Sequence, residues 1–398
     1  MEATSTWTSF GSMVVLALVS GCGETTAGES RPPPVDTAAT AEASAEATAS
    51  ATGAPSATPT AAPTVDPRRT EPLVDRWGED VVWKGSLAEQ NALMFEQLEQ
   101  AHGITPEQRQ KLEAIFAASD VLGQGNPEAA KHAASPKACR DLLAEKKIDY
   151  DDAASEAICG HRYMAPVYDP DRQKPEEASV CIDRFEFPNI PCVYPVTWVR
   201  ASEAVAICQA MGKRLCDAHE WEGACYGKLT SVEESYNFGL IKKMKLEDAI
   251  KGMRAQQNIN NHDDRRWAYG PKYHKGICAT SSRKSKDCGV GWRNCGTNTF
   301  PAGMFPDCKS SFGVYDQHGN AAEHMNLPLS PDQLASSPEQ TYGHTEMKGS
   351  WFVFDQVKAH EDHCRWRAPY WHGTRVMNPK SHRNYHLGFR CCASVKPR

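Results

Sequence analysis

Fifteen cysteines in 398 residues constrain this chain more than any other feature, because covalent cross-links let a fold dispense with long regular elements. One of them, Cys22, falls in a leader-like N-terminal segment. The other fourteen are an even set, as expected of disulfides formed in an oxidising compartment. Spacing limits which of them can pair. Cys391 and Cys392 are neighbours and should face different partners, while Cys216 and Cys225 flank a predicted helix that would hold them about 12 Å apart, beyond disulfide reach. Cys181 and Cys192 bracket Pro188 and Pro191 and could close a short loop. Cys278, Cys288, Cys295 and Cys308 share a loop-rich stretch that needs stapling. A zinc site is the competing use of those four, against which stand the absence of any C-x-x-C spacing among them and the exported context.

Residues 13–19 form an apolar run too short to span a bilayer. Val19-Ser20-Gly21-Cys22 then supplies the small residues that precede the lipidated cysteine of bacterial lipoproteins. Residues 1–22 are thus expected to be a lipoprotein signal peptide with Cys22 as the lipidated mature N-terminus, although residues 1–11 carry Glu2 and no Lys or Arg. Residues 23–69 are rich in Ala, Thr, Pro, Ser and Glu and hold no aromatic side chain. They cannot bury enough apolar surface to offset chain entropy and are expected to be a disordered linker. This organisation implies a chain in the cell envelope, lipid-anchored to the outer membrane and facing periplasm or exterior. The net charge of -6 comes without any basic block, which argues against a nucleic-acid partner.

Residues 70–157 read as a helical segment. Ser86 and Glu89 make a capping box, Leu87, Met94, Phe95, Leu98 and Ala101 mark one face, and Gly103 ends the helix. Thr105, Pro106 and Gln108 open a second helix carrying Leu112, Ile115 and Phe116, and Ser135-Pro136 opens a third with Leu142 and Leu143. No catalytic constellation occurs there, and a small packing or docking module is the reading. From residue 158 to 398 a second domain is expected. It starts with short strands around 163–167 and 180–186. A helix follows with Ala201, Ala204, Val205, Cys208 and Met211 on one face and a stop at Gly212. Another helix is capped by Asp217 with Glu220, and Trp221 turns to the core. Loops rich in Gly, Asn, Asp and Cys are expected to dominate from about 226 to 348.

Five blocks run in order through this domain. They are Gly212-Lys213-Arg214-Leu215 with Glu220-Trp221-Glu222; Gly313-Val314-Tyr315-Asp316; Gly319-Asn320-Ala321 with Glu323; Gly349-Ser350-Trp351; and Leu387-Gly388-Phe389-Arg390. Their order resembles the sulfatase-modifying-factor domain of formylglycine-generating enzymes. The resemblance implies an α+β, C-type-lectin-like fold of low regular secondary structure, with bound calcium and buried disulfides. It implies that Asn320 and Glu323 are calcium ligands, and such oxygen ligands suit that ion. By the same resemblance Cys208 and Cys391 form a disulfide between the first domain helix and the last strand. Phe389 belongs to the core, and Arg390 forms a buried ion pair with Glu220 or Glu222.

Formylglycine-generating enzymes hold copper(I) on two cysteines that follow the Gly-Ser-aromatic block. Here Val353 stands about where the first belongs, and Cys364 is the single thiol of the following stretch, before Arg365-Trp366-Arg367. The resemblance thus implies Ser350, Cys364 and Arg367 as candidate catalytic residues. One thiolate makes a poor copper(I) site, His360, His363 and His372 being possible nitrogen ligands beside it. Cysteine parity instead favours Cys364 as a bridge partner. Two functional classes follow. One is an oxidase converting a protein cysteine to formylglycine. The other, favoured by the missing cysteine, is a copper-free binding member that recognises a protein, peptide or glycan in the envelope, with Trp292, Trp366, Tyr370 and Trp371 lining its site. A third class, iron-dependent sulfoxide synthesis, needs a His-rich helical motif, and residues 70–157 hold only His102 and His132.

Overall fold

The computed structural model describes residues 85–126, 129–130, 132–283, 292, 298–358, 360–368 and 373–396. The leader with Cys22, the 23–69 linker, Cys288, Cys295, Tyr370, Trp371 and His372 lie outside them.

The helical segment forms as its caps dictate. Helix α1 (Leu87–His102) starts at Ser86, which exchanges both capping-box bonds with Glu89, and ends at Gly103 with φ 63°. Helix α2 (Pro106–Ala117) starts at Thr105 with Gln108 closing the box. Helix α3 (Pro136–Lys146) is capped by Ser135, and α4 (Ala153–Cys159) by Asp152. These helices are not a module set apart from the following domain. Met94, Phe95, Leu98, Leu112 and Phe116 share one core with Val205 and Cys208 of α5 (Ala201–Ala210), with Met211 at its C-cap and with Phe389. Two cross-links, Cys139–Cys192 and Cys159–Cys181, tie α3 and α4 to the rest. The short loop expected between Cys181 and Cys192 is therefore corrected. Both cysteines reach back to the helices, because α3 and α4 pack beside them.

The strands form two small sheets. In the first, β1 (Met164–Val167), β2 (Val180–Asp183), β7 (Cys391–Ser394) and β3 (Arg214–Leu215) lie in the order β1-β2-β7-β3, all antiparallel. In the second, β5 (His344–Lys348) pairs antiparallel with β4 (Ala322–Leu327), which pairs parallel with β6 (Leu387–Phe389). Only Arg390 separates β6 from β7, so the chain passes between the sheets at that residue. Successive strand residues point to opposite faces. Cys391 accordingly bonds to Cys208 on α5, and Cys392 to Cys216 on the other face.

Helix α6 (Ala218–Tyr226) follows β3. The Asp217 N–H donates to Glu220 as the capping box requires, but the Asp217 carboxylate turns away to accept from Asn326, Ala335 and Ser336. The stretch after 226 is more regular than its composition indicates. It contains α7 (Val232–Tyr236), α8 (Phe238–Ile241) and the 15-residue α9 (Leu246–Asn260). Ala249, Ile250, Met253, Arg254 and Gln257 line the buried face of α9. Two of these five side chains, Arg254 and Gln257, are polar, which hides the period in a hydrophobic reading. No helix among the described residues is long and apolar enough to cross a membrane.

Candidate functional site

The Gly349-Ser350-Trp351 turn leads into a sealed region. Val353 is 1% exposed and packs with Val121, Trp198, Phe352 and Tyr385. The position that the family resemblance assigns to a copper cysteine is therefore filled by an aliphatic side chain, roofed by Val121 from the loop after α2. Ser350 is buried as well. Its Oγ accepts from the Gly319 N–H at 2.8 Å and donates to Asp362 at 2.9 Å. Asp362 also accepts from Trp267 Nε1 at 2.8 Å. Burial pushes this carboxyl up, but His318, Trp267 and Ser350 outweigh it and hold the pKa below the ordinary value.

Another cysteine does stand beside Cys364, but it is bonded to it. Cys225 on α6 and Cys364 form a disulfide, both residues at most 1% exposed. This is the bridge role that parity favours, and it removes the thiolate that a copper site needs. His318 completes the cluster. The Ala268 N–H donates to its Nε2 at 2.9 Å. Nε2 also lies 3.3 Å from Cys225 Sγ. Nδ1 is 3.7 Å from Asp362, too long for a hydrogen bond. His360 and His363 do not join this group. His360 stacks on Trp366, and His363, driven by burial to a pKa of about 4, is neutral near pH 7. With Val353 inert and Cys364 bridged, the residues present do not fit copper(I).

Arg367 is structural too. Its guanidinium holds Glu222 at 3.0 and 3.3 Å beside the Lys348 ammonium at 3.0 Å, all three side chains being buried. Ser350 binds Asp362, Cys364 is bonded to Cys225 and Arg367 holds Glu222, and all three residues are buried.

The two residues expected to bind calcium, Asn320 and Glu323, both have protein partners. Asn320 Oδ1 accepts from the Phe300 N–H at 2.7 Å, and Nδ2 donates to Glu186 at 2.9 Å. Both Glu323 oxygens receive the Arg390 guanidinium at 2.7 Å, and one also accepts from Trp221 Nε1. Both side chains are thus tied into the protein's own hydrogen-bond network. Arg390 therefore pairs with Glu323, not with Glu220 or Glu222. The parallel β4–β6 register sets Glu323 opposite Gly388, two residues from Arg390. Glu220 instead binds Arg214 at 2.6 and 2.7 Å. Three buried carboxyls gather near Arg390. Burial, with the nearby Asp316 and Glu323 carboxyls, drives Glu186 well above its ordinary pKa, and burial raises Asp316 to about 7.

The aromatic recognition set does not assemble among the described residues. Trp292 is buried, and Trp366 packs into a cluster with Ala322, Met347 and Leu387. An open cleft of about 800 Å³ lies elsewhere, lined among others by Tyr226, Leu229, Gln257, Asn260 and Arg365. The sequence reading does not single out Tyr226 and names Arg365 only within the Arg365-Trp366-Arg367 run, although each directly follows a cysteine of the buried bridge.

Comparison with known proteins gives one family. The model of the sulfatase-modifying factor enzyme 1-like domain matches residues 160–395. No curated protein matches the chain. Among solved structures, the one titled "Crystal Structure of CarF" is similar, with 12% sequence identity and a TM-score of 0.29. That match covers 69% of this chain and 86% of the other. A likeness so weak carries no functional argument.

Proposed function

The chain belongs to the family of sulfatase-modifying factor enzyme 1-like domains, and from that premise we propose that it is a copper-free, non-catalytic binding member of it. The observation behind this reading is the fate of the two thiol positions: Val353 is sealed in an apolar cluster and Cys364 is bridged to Cys225. A family scaffold without a thiolate pair has no means of holding copper(I) for oxidation of a substrate cysteine.

The same proposal places the protein in the cell envelope, lipid-anchored at Cys22 to the outer membrane, where a long linker presents the domain to a protein, peptide or glycan ligand. The apolar run before Cys22 and the linker composition support the anchor. Copper(I) titration and an oxygen-consumption assay with a cysteine-containing sulfatase-motif peptide test the central part. We expect no stoichiometric copper(I) and no conversion of the peptide cysteine. Tight copper(I) binding with oxygen-dependent oxidation would restore the oxidase reading.

A further inference from the structure

We propose that the cleft beside Tyr226 and Arg365 binds the carboxylate of an acidic saccharide, an inference that rests on the binding-member reading above and names its ligand class. Four observations carry it. The cleft holds about 800 Å³, enough for two or three sugar units. The Arg365 guanidinium lies 3.8 Å from the centre of the Tyr226 ring and donates from Nη1 to Asn261 Oδ1 at 3.3 Å. Stacking and one amide contact thus orient a planar cation that has no carboxylate within salt-bridge reach among the described residues, Glu234 acting on it only through the longer-range field. Arg266 adds a second guanidinium 5.2 Å from the same ring, and the Tyr226 hydroxyl donates to Asp264.

The other cationic side chains of the cleft have carboxylate neighbours. Lys228 binds Asp169 at 3.3 Å and Asp171 at 2.5 Å, and Arg172 lies 3.6 Å from Asp169. Glu234 faces the cleft but is tied to Ser231, accepting from its N–H at 3.1 Å and its hydroxyl at 2.9 Å. Arg365 is left as the oriented donor for an incoming oxyanion, and a fork of parallel N–H groups suits a carboxylate.

The covalent frame explains why this cation is held still. Tyr226 follows Cys225 and Arg365 follows Cys364, so the buried bridge holds the two stretches of backbone from which the ring and the guanidinium extend. A donor positioned before binding loses little conformational freedom when the ligand arrives. The walls favour a saccharide over a peptide. Gln173, Thr230, Ser235 and Asn260 offer amides and hydroxyls suited to sugar hydroxyls, whereas Leu229 is the one aliphatic side chain of the lining. A peptide anchor normally needs apolar pockets.

Isothermal titration calorimetry of the full oxidised chain tests this with oligogalacturonate as the probe. Neutral galactan oligomers of matched length and an oligoglutamate peptide serve as the other arms. Oligogalacturonate should bind in a salt-sensitive manner, and Arg365→Gln should weaken it about tenfold or more, with Arg365→Lys in between. Should Arg365→Gln fail to fold, Thr230→Glu sets a negative charge in the cleft wall and should cause a similar loss. Equal binding of the neutral oligomer, undiminished binding by folded Arg365→Gln, or tighter binding of oligoglutamate would overturn the inference. A chain that takes neither copper(I) nor oligogalacturonate would overturn it too while leaving the copper-free reading standing. Copper-dependent oxidation would refute that reading whatever the cleft binds.

Discussion

Replacing both members of the Cys225–Cys364 bridge with alanine should destabilise the fold by about 4 kcal/mol. The direct loop spans 139 residues, for which the loop-closure relation gives about 5 kcal/mol. The unfolded chain is already cross-linked, however. Through the Cys216–Cys392 bond, the path from Cys225 to Cys364 covers only about 9 residues back to Cys216 and about 28 from Cys392 back to Cys364. A loop of roughly 38 residues gives the smaller figure, and the lost sulfur contacts in a fully buried site add to it. Alanine is the right probe because a buried serine hydroxyl would bring its own penalty. Chemical denaturation of the oxidised native chain and the double variant, extrapolated linearly to water, measures the difference. A shift below about 0.5 kcal/mol would refute the reasoning, since it would mean that the bridge is not a fixed part of the native fold.

Other consequences are accessible to the same methods. Glu323→Gln leaves the buried Arg390 guanidinium without its counter-charge and should cost about 3–5 kcal/mol, read as a lowered denaturant midpoint. Gly319→Ala should be strongly destabilising, because the residue sits at φ 76° and an added methyl would meet the Ala279 carbonyl; an unchanged melting temperature would contradict this. Asp316 has its pKa raised to about 7 by burial. An acid raised in the folded state contributes stability below its unfolded pKa and loses it as pH rises through the folded value. Asp316→Asn should therefore gain on the native chain between about pH 4 and pH 8, and a stability difference that does not vary with pH would contradict the assignment. His344 and His363, lowered to about 4 by burial, act in the opposite sense. Their contribution is present above pH 6.5 and lost as pH falls towards 4, so His344→Gln should flatten the acid side of the stability profile.

What the sequence made legible was local or carried by the family blocks. The boxes at Ser86 and Thr105 and the Ser135 cap form as read, because such signals act within one helical turn. Cysteine parity pointed to a bridge at Cys364, yet not to Cys225, since pairing depends on how α6 meets the loop after β5. Cys181 and Cys192 are near neighbours in sequence, but α4 and α3 supply nearer sulfurs in space. Arg390 was expected to seek Glu220 or Glu222. The parallel register of β4 and β6, which no local pattern records, brings Glu323 instead. The Asn320–Glu323 block keeps its place in the chain with its side chains turned inward. Helix α9 escaped notice because Arg254 and Gln257 lie on its buried face. The helices before residue 158 read as separable, but the apolar stripes of α1 and α2 are completed by later residues, among them Phe187, Val205 and Phe389.

The state of Cys364 tests the account most directly. Alkylating the unreduced, denatured chain and analysing its proteolytic peptides by mass spectrometry should recover a cross-linked pair containing Cys225 and Cys364, neither of them alkylated. Recovery of the two as separate alkylated peptides would mean that a free thiol pair faces His318 in the native protein, and the copper-free reading would fall with it.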